Sequence, residues 1–375
     1  MRFKDIIGQE DIKNNLIKSY YSNRISHAYL FYGIPGVGKK ALAWAFAQFL
    51  SCQNKQENDS CGVCPSCHKY EKLIHPDFHF VFPVVTITGK KSISDSFINE
   101  WRQIMLNDPY FSYNDWTNLL VSDKNKSKQA NIFVDESTEI INKLNFKSFE
   151  SDYKIMMIWL PEKMNQQCAN KILKTLEEPP HNTVFLMVSD SREDILPTIY
   201  SRTQPVKVLG IDDESLKKHL IEKYNISLLE AADIVKISNG SLIEAKEQIQ
   251  TSEDNKFNLQ QFIALMRLAY KKNISEGFSW VDTMTKINKE KQKNFLYYCT
   301  VLLRESFVYN FRNFDIVYLT SEEKEFVEKF SAFIKPENIE SLVKIINDSS
   351  YHIERNGNEK IIYTDMFFLI MKVLK

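Results

Sequence analysis

Apolar positions along this chain follow two rhythms. In the first 240 or so residues they gather into short continuous runs, His27–Tyr32, Phe78–Val85, Ile155–Leu160 and Val184–Val188, separated by stretches with three- and four-residue spacing. Continuous apolarity over one strand length marks strands covered on both faces, and their alternation with helical patterns predicts a parallel sheet with crossover helices. Further on the runs disappear. Phe257–Lys271 and Lys291–Phe311 place apolar residues at helical spacings only, which predicts an all-α bundle. Helix breakers divide the chain at the same place: eight of ten glycines and ten of eleven prolines precede residue 241, leaving Gly277, Gly357 and Pro336 beyond it. Between about 86 and 130 the text turns polar (SDKNKSKQ), which predicts a partly mobile insertion.

Composition narrows the classes. A chain of 375 residues with 43% hydrophobic content can bury a sizeable core and should divide into two or three domains. Its 48 basic and 48 acidic residues cancel, so no global field draws it to nucleic acid or a membrane, and its expected partners are proteins. The start, MRFKDIIGQE, has no apolar signal core, and Met366–Met371 is too short to span a bilayer. A cytoplasmic protein is expected.

One segment carries chemistry. Gly33-Ile34-Pro35-Gly36-Val37-Gly38-Lys39-Lys40 follows an apolar run and opens an Ala-rich helix, the setting of a phosphate-binding loop. In such a loop backbone N–H groups cradle phosphates, a Lys reaches the terminal phosphates, and a Ser or Thr ligates magnesium. Here Lys40 holds the hydroxyl position, and a cation cannot ligate a cation. Gly33, Gly36, Val37, Gly38, Lys39 and Lys40 remain candidates for holding ATP, ADP or another anion, with catalysis excluded or impaired. An NTPase also needs carboxylates at the end of a second strand. Lys154–Leu160 ends in Trp159 and Leu160, with Glu162 too late. Ile132–Glu136 does end in Asp135-Glu136, but Met164–Pro180, a helix starting near Asn165 and stopped by Pro179-Pro180, follows the other strand.

Within that helix, Asn170-Lys171-Ile172-Leu173-Lys174-Thr175-Leu176-Glu177-Glu178-Pro179-Pro180 resembles the NxLLKxLEEPP signature of bacterial DNA polymerase III clamp-loader subunits, members of the AAA+ superfamily. Phe3–Glu10 resembles their opening box, Ser26–Phe31 the strand before the phosphate loop, and Ser201-Arg202-Thr203 their Ser-Arg-Cys motif. The likeness spans about residues 1–245. It implies an AAA+ domain over 1–207 and a helical lid over 208–255, and the helical pattern and position of 256–375 add an oligomerisation collar. It also puts Trp159 and Leu160 where motor subunits carry their acidic pair, and Ile243 where they carry Arg in Gly-Ser-x-Arg. Lys40, Trp159, Leu160 and Ile243 together resemble the family's non-hydrolysing stator branch, the delta-prime subunits, rather than its ATP-hydrolysing motors. The resemblance implies that Arg202, with Ser201, serves as an arginine finger on ATP held by a neighbour. The implied partners are motor (gamma/tau) and delta subunits, the sliding clamp and primer-template DNA. The alternative is a motor subunit with an atypical magnesium site at Asp135 or Glu136.

Cys52, Cys61, Cys64 and Cys67, spaced C-x8-C-x2-C-x2-C, can converge on one tetrahedral Zn²⁺. Four thiolates fill the shell, so a structural zinc module over 52–67 is expected, and clamp-loader relatives carry the same insertion. His68 reads as a surface residue, Cys168 and Cys299 as core, and His75, Asp77 and His79 as a satisfied strand edge rather than a catalytic group.

Overall fold

A computed structural model describes residues 1–121, 129–311, 319 and 321–374, which divide into two compact units, Met1–Gln248 and Ile249–Lys375. The first is built on five strands: β1 (Ala28–Tyr32), β2 (Phe78–Val81), β3 (Lys154–Trp159), β4 (Thr183–Ser189) and β5 (Gln204–Lys207). Their order is β2-β3-β4-β1-β5, every neighbouring pair is parallel, and helices make the crossovers. β1, β3 and β4 are buried almost throughout, as their unbroken apolarity predicts. β5 has no apolar run because it is an edge strand with Gln204, Pro205 and Lys207 exposed, and an edge tolerates a proline that cannot donate to the ladder.

Register brings the functional segments together. Tyr32 pairs with Ser189 and Trp159 with Val188, so the residues after β1, β3 and β4 emerge at one end of the sheet. In open parallel sheets, ligand crevices form at the carboxyl ends of the strands.

The polar stretch after β2 is more ordered than its composition suggests. Its described part forms helices Ile98–Asn107 and Tyr113–Leu120, anchored by the fully buried Trp101 and Trp116. Trp101 stacks on Phe82 at 4.3 Å, and Trp116 Nε1 donates to the Pro83 carbonyl at 2.7 Å. A few aromatic anchors outweigh a polar average here. Residues 122–128, near the far end of the expected partly mobile insertion, lie outside the described residues. The helix Gln166–Glu177 begins as expected, with the Asn165 side chain accepting from the Cys168 amide at 2.8 Å, and ends two residues before Pro179.

Among the described residues of the second unit, the regular elements are all helices. Ile274–Lys286, Lys289–Tyr309, Pro336–Glu354 and Glu359–Val373 enclose a core that includes Trp280, Phe295, Leu302, Ile346, Tyr363 and Phe367. The boundary between the units falls inside one helix, Leu242–Lys271. No helix among the described residues is long and apolar enough to cross a membrane.

Candidate functional site

The phosphate loop has the backbone expected of it. Gly36 and Gly38 sit at φ of 85° and 92°, where a side chain would be strained, and Gly38 precedes the buried helix Lys39–Ser51. The protein's own groups fill the space around the loop. A Cβ on Gly38 would lie 3.1 Å from the Tyr110 ring, and one on Gly36 would lie 2.4 Å from Ser241 Oγ and 2.8 Å from the Ile243 amide. Ser241 Oγ donates to the Pro35 carbonyl at 2.9 Å, and the Leu242 amide to the Gly36 carbonyl at 3.1 Å. The remaining cavity, about 20 Å³, is bounded by Lys39, Lys40, Tyr110, Phe111, Trp159 and Asp190. That is room for about one water.

The two lysines are turned inward. Lys39 Nζ donates to the Gly33 and Ile34 carbonyls at 2.6 Å each and pairs with Asp190 at 2.8 Å. Burial lowers its pKa, and Asp190 opposes that shift. Lys40 is enclosed: its ammonium lies 3.6 Å from the Phe111 ring centre and 4.7 Å from that of Trp159, and it donates to the Phe111 carbonyl. Burial brings its pKa down to about 7. Trp159 ends β3 and Leu160 follows it, and both are buried. The motif positions carry neither a metal-ligating hydroxyl nor an acidic pair, and Lys39 and the loop carbonyls satisfy one another instead.

Asp135 and Glu136 lie elsewhere. They occupy the first turn of the helix Val134–Asn145 rather than a strand end, and Glu136 spends its carboxylate on the Ser94 amide at 2.6 Å. Burial raises its pKa to about 7. Glu162, passed over as too late in the chain, does reach the site's margin: its Oε1 accepts from the Asp190 amide at 3.2 Å, and burial raises its pKa to about 7. Asp190, Tyr110 and Phe111 were not legible in the sequence. Asp190 stands one residue past β4, a position that can be found only once the strand order is known.

Arg202 is outside this crevice. It follows the short helix Pro197–Tyr200, and its side chain is 31% exposed. Nε donates to Glu177 Oε1 at 2.9 Å and Nη2 to the same oxygen, while Nη1 donates to the Thr198 carbonyl at 2.8 Å and to Ser201 Oγ at 3.3 Å.

The four cysteines form a separate centre. Their Sγ atoms all lie within 4.8 Å of one another; Cys52 to Cys61 is 3.6 Å and Cys61 to Cys67 is 3.9 Å. Thiolates about 2.3 Å from one tetrahedral zinc would be about 3.8 Å apart, so the set fits that ion. Backbone amides of Cys61, Cys64 and Cys67 point at Cys52, Cys61 and Cys64 sulfurs at 3.3 to 3.5 Å, which favours the charged thiolates. The short helix Pro65–Glu71 carries Cys67, with Cys64 as its N-cap. His68 faces Glu71 at 3.5 Å on the surface, and Cys168 and Cys299 are fully buried.

Residues 8–211 match a family model described as DNA polymerase III, delta subunit. The chain belongs to this family. It is similar to DNA polymerase III subunit delta' of Escherichia coli (28% identical over 187 residues, 50% of this chain and 43% of that protein). It is also similar to subunit tau/gamma of Haemophilus influenzae (26% over 218 residues, 58% of this chain and 25% of that protein). Among solved structures, a DNA polymerase III gamma subunit-related protein from Thermotoga maritima aligns over 98% of this chain and 99% of that one, at 15% identity and a TM-score of 0.35. The chain spans less than half the length of the two curated relatives. The family match includes the phosphate loop, the cysteine centre and Arg202, and stops before Gly240–Ile243.

The HPDFH segment is structural. Asp77 is fully buried, and its two oxygens accept from the Phe149, Glu150 and Ser151 amides at 2.7, 2.8 and 2.9 Å. His75 packs against Tyr70 with ring centres 4.6 Å apart; His79, on edge strand β2, has its pKa lowered to about 4 by burial and by Lys143 and Lys154.

Proposed function

We propose that this chain is the non-hydrolysing stator of a DNA polymerase III clamp loader. The observation that carries the reading is the state of the phosphate loop: Lys40 lies in the metal-ligand position between Phe111 and Trp159, and Tyr110 covers Gly38. A site closed in this way neither takes up ATP nor activates water, so the chain's contribution to hydrolysis must be made on a neighbour. In this reading Arg202, with Ser201, makes it. A guanidinium offered across a subunit boundary neutralises charge that develops on a transferred phosphoryl group, an effect of about a thousandfold or more in rate. The division into an AAA+ domain over 1–207, a lid over 208–255 and a collar over 256–375 belongs to the same reading. So do motor and delta partners, cytoplasmic residence, and a role in placing a sliding clamp on primed DNA.

Cys52, Cys61, Cys64 and Cys67 would hold zinc as a structural ion, since four thiolates leave no position for substrate. Its binding would fix a Gly-poor excursion that has little core of its own. An active motor using Asp135 or Glu136 is the weaker reading, because Glu136 is already bound to the Ser94 amide.

The test is DNA-stimulated ATP hydrolysis by the organism's other clamp-loader subunits completed with wild-type chain or with Arg202→Ala. The stator reading expects assembly to be retained and the rate to fall by at least tenfold. A complex that forms and hydrolyses ATP at the wild-type rate would leave the chain as a scaffold without a finger.

A further inference from the structure

The Leu-Glu-Glu-Pro-Pro end of the helix Gln166–Glu177 carries a carboxylate that the finger reading leaves unused. Glu177 is the last residue of that helix, and its Oε1 accepts from both Nε and Nη2 of Arg202. The opposite corner of the guanidinium is held by neutral groups only, the Thr198 carbonyl and, at 3.3 Å, the Ser201 hydroxyl.

These two holds differ in strength. A charge-assisted contact along the Nε edge is stronger than a contact to a carbonyl or hydroxyl, and an incoming phosphate oxygen competes far better with the neutral partners than with a carboxylate. The guanidinium is planar and rigid, so fixing one edge also fixes the direction of the other. An arginine held this way loses little rotamer freedom when it engages an anion, whereas an unpaired one on a long flexible stem must be ordered at that moment. The pair is well placed for this: the two side chains are 31% and 47% exposed, and exposed pairs of this kind contribute little to fold stability.

We propose that Glu177 is the positioning residue of the finger, holding Arg202 by its Nε edge so that Nη1 is presented to the phosphoryl group on the neighbouring subunit. This rests on the reading of Arg202 as a finger. Glu177 itself touches no substrate. Its effect therefore runs through Arg202, and it acts where the finger acts, on the turnover step.

The experiment uses the full chain in the reconstituted assembly, comparing wild type, Glu177→Ala, Glu177→Gln, Arg202→Ala and the double variant Glu177→Ala/Arg202→Ala. Circular dichroism and complex formation verify folding for each. Glu177→Ala is expected to lower kcat for ATP about five- to tenfold with KM unchanged. Glu177→Gln, which keeps one acceptor for Nε, falls between it and wild type. In the Arg202→Ala background the Glu177 substitution changes nothing further. Equal loss in both backgrounds, a rise in KM instead of a fall in kcat, or a faster rate would overturn the positioning role. Failure of the finger reading looks different: Arg202→Ala alone would then leave kcat unchanged.

Discussion

Replacing Lys40 by Met tests the closed loop at its most unusual point. Lys40 is buried with its ammonium against Phe111 and Trp159, and burial brings its pKa from 10.5 down to about 7. The folded state thus binds fewer protons than the unfolded state between about pH 7 and 10.5, and stability attributable to this residue rises with pH across that window. Below pH 7 both states are protonated and the burial cost is felt in full. Each pH unit of complete difference is worth about 1.4 kcal/mol, so between pH 7 and pH 9 the wild type should gain about 2 kcal/mol relative to Lys40→Met. The absolute difference at pH 7 is smaller, because the methionine also forfeits the aromatic contacts and leaves the Phe111 carbonyl without its donor. Glu136 and Glu162, with pKa values raised to about 7, act below that window and are common to both proteins. Urea unfolding followed by tryptophan fluorescence is the assay, since Trp44, Trp101, Trp116 and Trp159 lie in the first unit and only Trp280 in the second. Parallel stability profiles for the two proteins from pH 7 to 9 would refute the reasoning, for they would mean that Lys40 is solvated and the loop open.

Two further expectations concern structure. Asp77→Ala leaves three backbone amides without their acceptor and should destabilise the first unit by about 3 kcal/mol, with protease cleavage first appearing near 146–151; stability unchanged within about 0.5 kcal/mol would contradict the anchor role. Purified chain should carry one zinc by atomic absorption, and Cys61→Ser or acidification, which protonates the thiolates, should release it and expose 52–67 to proteolysis; full zinc content in the serine variant would place the metal elsewhere.

The sheet was legible where strands are buried on both faces, because β1, β3 and β4 announce themselves by unbroken apolarity. β5 was not, since an edge strand needs no apolar run and Pro205 argues against one. The helices in the polar stretch after β2 were hidden for a related reason: Trp101 and Trp116 bury completely while many of their neighbours stay wet, so the average hides the anchors. At the site, Lys40, Trp159 and Leu160 could be read as losses from motif positions alone. What fills the loop could not, because Tyr110, Phe111 and Asp190 reach it from distant parts of the chain. The Glu177–Arg202 pair was hidden likewise, although both residues lay in segments already singled out.

The central claim, that this chain holds no ATP of its own, is tested most directly by equilibrium titration of the isolated protein with a fluorescent ATP analogue and magnesium, alongside its Lys39→Ala variant. The closed loop predicts no saturable binding by either protein up to millimolar nucleotide. Saturable, magnesium-dependent binding that Lys39→Ala abolishes would contradict it and restore the chain to the ranks of nucleotide-binding subunits.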